Sequence, residues 1–350
     1  MKLAKRILTA LLAFVIPVTM FSACSGKRES TPVDIENFRI TAYVVADGLR
    51  DLDSFDASHF DQVTDVILFG CADFDEEGKV VLADDFETVL ANLQIAMKAD
   101  PNKKIYLNLL GPSAKTDESA DWNEKMKDLG NRHNNAFQSG KLEDNIKKVL
   151  DKYHFDGVFF DYEFPMKSKN WRVFSDFVVS LRGKLGGDYV IGMSLASWDL
   201  KLSDEAKDAV DRIEVMSYDL WDDDGNHATY EIAKDDLEKF EKAGYDMAKL
   251  DLGVPFYARP TTEEEYWYSY KDYADSIDKN GLFNDKETGL KFSFNTYGVI
   301  EKKTKLAIDS GCGGMMVWHY ACDLPKSDDR SLFNAIYNTV QEEINAKTAE

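Results

Sequence analysis

Residues 155–165 read Phe155-Asp156-Gly157-Val158-Phe159-Phe160-Asp161-Tyr162-Glu163-Phe164-Pro165. The run is short, β-branched and aromatic, which predicts a strand over 157–162. Successive side chains of a strand point to opposite faces. Phe159, Asp161 and Glu163 therefore share one face, and Val158, Phe160 and Tyr162 share the other. The second set is wholly apolar or aromatic and is expected to pack against helices. That turns Asp161 and Glu163 inward, at the C-terminal end of the strand. Two inward acids are costly unless they are paired or used. Residues two apart in a strand have Cα atoms about 6.7 Å apart, so the two carboxylates can approach and couple. Coupling with partial burial raises one pKa, which suits a general acid near neutral pH. An acidic strand end that simply emerges into solvent is the alternative.

Outward from this run the chain alternates. Further strands are expected over 38–46, 63–70, 104–110, 189–194, 212–217, 249–255 and 314–318. Helical periodicity falls between them, over 86–98, 141–153, 170–185, 204–210, 233–242, 297–310 and 331–346. Eight strands separated by helices predict an α/β protein of the (β/α)8 TIM-barrel type. Such barrels run to about 250 residues, so loop insertions are implied, at 112–137 after the third strand and, as a short insertion, at 259–295 after the seventh. Both follow strands, on the face where barrels carry their active sites. An open doubly wound sheet would want a Gly-x-Gly-x-x-Gly fingerprint, and none is present.

Composition narrows the chemistry. The chain has 350 residues, 44% hydrophobic and 12% aromatic, and a net charge of −21. It is long and apolar enough for a large core. A chain this acidic is not built to hold nucleic acid phosphates or anionic lipid. Neutral substrates remain, and the aromatic content suits stacking on sugars. The histidines are scattered, with no His-Glu-x-x-His or Cys-x-x-Cys spacing, so neither a metal site nor any cofactor is expected. Asp222-Asp223-Asp224-Gly225-Asn226 has the look of a calcium loop, but Leu220 fills the first ligand position and a solvated acidic turn is the reading preferred. No phosphate loop or Gly-x-Ser-x-Gly elbow occurs; Gly311-Cys312-Gly313-Gly314 reads as a turn before a strand. Cys71, Cys312 and Cys322 are expected as buried free thiols.

The strand-four run resembles the signature of glycoside hydrolase family 18, the chitinase-like enzymes and endo-β-N-acetylglucosaminidases, whose pattern is Asp-Gly-x-Asp-x-Asp-x-Glu. Asp156, Gly157, Asp161 and Glu163 match it, and Phe164-Pro165 resembles its Tyr-Pro tail. Met216-Ser217-Tyr218-Asp219 matches the family's Met-x-Tyr-Asp. Residues 252–259 look like its strand-seven run, and Gly313 to Trp318 like its strand eight, which ends in tryptophan. Asn108-Leu109-Leu110-Gly111-Pro112 stands where Ser-x-Gly-Gly is usual, and Phe159 replaces the family's first inward aspartate.

The resemblance implies a retaining, substrate-assisted hydrolysis of β-1,4 linkages in N-acetylglucosamine glycans. The sugar's own 2-acetamido carbonyl attacks C1 to give an oxazolinium-type intermediate. Glu163 would act as general acid and then base, Asp161 would hold the acetamido N–H, and Tyr218 would donate to the acetamido oxygen. Substrate binding would fall to Asp219, Trp318, Met216 and Trp198, with Trp318 as the hydrophobic floor. Trp221 and the cluster 266–270 are further candidates for sugar contact, or else packed loop aromatics. Chitin-like oligosaccharides and the chitobiose core of glycoprotein glycans are both candidate partners, and the small strand-seven insertion favours an open cleft. Phe159 cannot share a proton with Asp161 as an aspartate does, which motivates an alternative reading: a catalytically impaired carbohydrate-binding protein on the same barrel. A glycosidase with its own nucleophile would need a second inward carboxylate about 5 Å from Glu163, and Pro255-Phe256-Tyr257 at the end of strand seven offers none.

The N-terminus reads as a targeting segment. Lys2, Lys5 and Arg6 precede an apolar run over 7–20, too short to span a bilayer and interrupted by Pro17. Phe21-Ser22-Ala23-Cys24 then resembles a bacterial lipobox, in which Cys24 would be lipidated and become the first mature residue; an ordinary cleaved signal peptide is the alternative. The expected organisation is a signal peptide over 1–23, a polar tether over 24–33 and one catalytic domain over 34–350. The expected location is the bacterial cell envelope, with a monomer held to the membrane only through its lipid anchor.

Overall fold

The computed structural model describes residues 34–348 apart from 99, 101, 118 and 261–265. The signal, tether and Cys24 expectations fall outside the described residues. Eight parallel strands close into a barrel: β1 (Arg39–Val45), β2 (Asp65–Phe69), β3 (Lys104–Leu109), β4 (Gly157–Phe160), β5 (Val190–Leu195), β6 (Arg212–Val215), β7 (Leu250–Pro255) and β8 (Gly314–Trp318). Each strand pairs with the next, and β8 closes on β1. All eight expected strands are therefore found, in the expected order. Two strands, β4 and β6, each end two residues short of expectation, at Phe160 and Val215. The ladder stops at Val215, because the Ser217 N–H turns back to donate to the Val215 carbonyl at 2.8 Å.

The alternation in β4 has the expected consequence. Val158, Phe160 and Tyr162 join the core between barrel and helices, where Phe160 meets Phe174 and Phe177 of the helix Ser168–Leu185. Phe159 points the other way, into a small interior cluster with Tyr43, Ile67, Tyr106 and Met316. Its ring needs room on β5, and Gly192 supplies it. A Cβ on Gly192 would lie 2.2 Å from the Phe159 ring, so the two positions are matched across neighbouring strands.

Below this plug the barrel is polar. Arg212 donates to Asp65 at 2.8 Å, and the Arg39 Nε donates to Asp251 at 3.0 Å. Glu214 is fully buried beside them, and neither of its carboxylate oxygens has a hydrogen-bond partner. Burial, then the charge of Asp251, pushes its pKa well above the carboxylate range. An acid whose pKa is raised by folding costs nothing below the unfolded value of about 4.3 and costs more as pH climbs above it. Glu214→Gln should therefore raise the melting temperature by about 2–4 °C at pH 7.5 and leave it unchanged near pH 4. Thermal unfolding of both proteins across pH checks this, and an equal difference at both pH values would contradict it.

Two regions depart from the expected outline. The insertion expected over 112–137 contains a helix, Trp122–Phe137, capped by the Asp121 side chain. The insertion after β7 forms a four-stranded antiparallel sheet from Tyr257–Pro260, Tyr268–Ser269, Leu282–Asn284 and Lys291–Ser293. Cys71, Cys312 and Cys322 are free and buried.

Candidate active site

The open end of the barrel collects side chains that stand just past four strand ends. Asp161 is one residue beyond β4, held by its own N–H to the Leu109 carbonyl at 3.0 Å, and it is 7% exposed. Burial pushes its pKa well above the usual carboxylate range, and the charge of Glu163 and a hydrogen bond to it push the same way. Glu163 is on the rim, reachable by solvent. The surrounding protein still raises its pKa, the bond from Asp161 opposes that rise, and the charge of Asp219 adds to it. The two carboxyls thus titrate as a pair, with Asp161 buried and Glu163 facing the cleft.

Tyr218 lies beyond β6, its ring packed on the interior cluster. Burial raises its pKa well above 10, helped by Tyr43, Tyr257, Asp161 and Glu163. Its hydroxyl therefore stays protonated and can donate. Met216 is buried beneath it, its N–H donating to the Leu195 carbonyl at 2.9 Å. Trp318 ends β8 and packs against the interior cluster. Its ring stands edge-on to Tyr43 at 5.2 Å and to Phe69 at 4.8 Å.

Asp219 is a different kind of residue. Its φ is 56°, in the left-handed region where a non-glycine residue is unusual. Tyr257 donates to its carboxylate at 2.7 Å, and Arg259 donates to both oxygens, at 2.9 and 3.0 Å. His227 Nε2 lies 3.0 Å from the Asp219 backbone nitrogen and 3.2 Å from its Oδ1. Burial alone would raise its pKa, but His227, Arg259 and Tyr257 reverse this and hold it well below the carboxylate range. Asp219 is thus a fixed charge that locks the loop after β6 to the strand-seven insertion. Its three partners lie 8, 38 and 40 residues downstream. Sequence reasoning misses all three, because no local signal marks them as partners of Asp219.

The outer aromatics divide. Trp198 is 49% exposed and meets Phe164 edge-on at 4.8 Å, so it presents a free ring face beside the mouth. Trp221 instead donates its Nε1 to the Pro260 carbonyl at 3.0 Å and serves the loop. In the 266–270 cluster, Tyr268 stacks on Phe292 at 4.1 Å within the insertion sheet. Tyr266 and Trp267 remain outside, about half exposed. Asp222 accepts from the Asp224 and Asn226 N–H groups, an acidic turn closed on itself. Among the described residues no cluster of His, Cys, Asp or Glu is arranged to hold a metal ion.

The chain shares features with known proteins. It is 26% identical over 192 residues to "Probable chitinase 2" of Drosophila melanogaster, a stretch that is 49% of this chain and 37% of that protein. Its fold is similar to the GH18 chitinase ChiB from the chitin utilization locus of Flavobacterium johnsoniae, with a TM-score of 0.70, 23% identity and coverage of 87% of this chain and 94% of that one. It is likewise similar to a class V chitinase from Nicotiana tobaccum, solved in complex with NAG4. There the TM-score is 0.68, with 14% identity and 87% and 99% coverage. At these identities the structural likeness speaks for the barrel alone. The family description "Glycosyl hydrolases family 18" matches residues 39–323, a span that runs from the first residue of β1 past the end of β8, and on that match the chain belongs to this family.

Proposed function

We propose that this chain is a retaining glycoside hydrolase that cleaves β-1,4 linkages of N-acetylglucosamine glycans with help from the substrate's own acetamido group. The observation that carries the reading is the coupled Asp161–Glu163 pair at the open end of the barrel, where the Tyr218 hydroxyl and the Trp318 ring also stand. Glu163 protonates the leaving oxygen and then takes a proton from water. Asp161 holds the acetamido N–H, and Tyr218 donates to the acetamido oxygen, so the group is aimed at C1. Asp219, the other acid whose charge Glu163 feels, already has both oxygens engaged by Arg259. It is poorly suited to be a nucleophile, and this favours the substrate's own carbonyl.

The chitinase relatives point to chitin-like oligosaccharides, and the chitobiose core of a glycoprotein glycan fits the same chemistry. Product analysis on chitooligosaccharides and on a high-mannose glycoprotein in parallel decides between them. Phe159 favours a second reading, a barrel that binds such glycans without cleaving them. Binding with no product from either substrate would establish it.

The cell envelope is the proposed location, through lipid on Cys24. Cys24→Ser should move the protein from the membrane fraction to the soluble fraction. If wild type and variant are both soluble, the anchor is ruled out.

A further inference from the structure

We infer that Asp236 is a positioning residue that ties together the two loops carrying Tyr218 and Trp198, and so sets the spacing between the acetamido contact and the sugar platform beside it. The inference rests on the glycan contacts proposed for those two residues and adds what holds them from behind. Asp236 belongs to the helix Tyr230–Lys242, whose buried face is Ala233, Asp236, Leu237 and Phe240. Three of these four make the apolar stripe expected of a helix packed on a barrel. An acid at the remaining position, 1% exposed, is costly unless its oxygens are engaged.

Both oxygens are engaged, and by different loops. The Ser197 hydroxyl donates to Oδ1 at 2.5 Å, and the Ser217 hydroxyl donates to Oδ2 at 2.7 Å. Lys239 adds a charge 3.5 Å from Oδ1. Both serines are buried. Ser197 stands two residues past β5 and immediately precedes Trp198, and Ser217 stands two residues past β6 and immediately precedes Tyr218. The ladder between these strands ends at the Leu195–Val215 pair and the bond from the Met216 N–H to the Leu195 carbonyl. Beyond that point Asp236 joins the two loops, one oxygen to each. Tyr218 thus sits between two anchored neighbours, Ser217 on Asp236 and Asp219 on Arg259. Lys303, fully buried on the helix Tyr297–Asp309, feels the charge of Asp236 and donates to the Ala228 carbonyl at 2.6 Å, which pins the far end of the loop after β6.

Each serine can be uncoupled alone. A hydrogen bond to a charged group is worth about tenfold or more. On chitooligosaccharides Ser217→Ala should therefore lower kcat about tenfold with KM little changed, and Ser197→Ala should raise KM about tenfold with kcat little changed. The Ser217→Ala loss should vanish in a Tyr218→Phe background and the Ser197→Ala loss in a Trp198→Ala background, while the crossed pairs add in full. Two readouts need no turnover. The 13Cζ signal of Tyr218, assigned with Tyr218→Phe, should move in Ser217→Ala and in Asp236→Ala but not in Ser197→Ala. Calorimetry with chitopentaose should show about tenfold weaker binding by Ser197→Ala and little change in Ser217→Ala. The serine variants keep the buried charge, so they decide the matter should Asp236→Ala fail to fold. Full additivity in the matched backgrounds, or a Tyr218 signal that ignores Ser217→Ala, overturns the inference. A wild type that cleaves nothing while the signal and binding changes appear as expected overturns the hydrolase reading instead and leaves the tie standing.

Discussion

Glu163→Gln should abolish most hydrolysis while leaving glycan binding in place. The amide keeps the size and shape of the carboxyl but has no proton to give. General acid–base catalysis by one positioned side chain contributes about 10²–10⁴-fold, so kcat on an unactivated chitooligosaccharide should fall by that factor. The loss should shrink on a substrate whose leaving group needs no proton, because the first step then runs without the acid. Binding should persist because the surfaces proposed to contact the glycan are elsewhere, on Trp318, Trp198 and the Tyr218 hydroxyl. Calorimetry with the variant and rate measurements on both substrate types check it. An equal loss on both substrates would argue that Glu163 shapes the cleft instead of donating a proton.

The pH dependence follows from the directions of the shifts. Glu163 must be protonated for the first step, and burial holds its pKa above the ordinary glutamate value. Its titration should therefore limit kcat on the alkaline side. Asp161 is raised well above its ordinary value by burial and by Glu163, so the two protons leave as properties of the pair. Replacing either residue should remove one limb of the profile.

Several of these features are legible in the sequence because their physics is local. The alternation from Val158 to Glu163 assigns faces by itself, and Phe159 and Phe160 do fall in separate clusters inside and outside the barrel. The helix Trp122–Phe137 is not visible there, because its buried face includes Gly130, Arg132, His133 and Asn134, which give no apolar period. It is fixed instead by the His133 ring lying flat on Tyr162 at 4.1 Å. The Asp219 clamp and the fit of Phe159 against Gly192 are also invisible locally, since each joins residues far apart in the chain. Gly192 explains how a bulky ring is tolerated at a position where the family usually carries a short acid. The neighbouring strand has no side chain there.

Asp161→Asn should cost as much as the loss of the general acid but by a different route. The amide can still reach the acetamido group, yet it carries no negative charge to face the positive charge that develops on the ring and the acetamido nitrogen. Electrostatic groups of this kind contribute about 10²–10³-fold when one is removed from a dry site, and Asp161 is 7% exposed. A leaving group that needs no proton should not rescue this variant, since the charge develops in the first step regardless. That distinguishes it from Glu163→Gln. A thiazoline analogue of the bicyclic intermediate should bind the wild type tightly and the Asp161→Asn variant poorly, while the substrate itself is held nearly as well. Asp161→Asn combined with Glu163→Gln should lose far less than the product of the two single losses, because both groups serve one transition state. If the losses instead multiply in full, Asp161 and Glu163 act independently, and the coupling of their carboxyls is not used in catalysis.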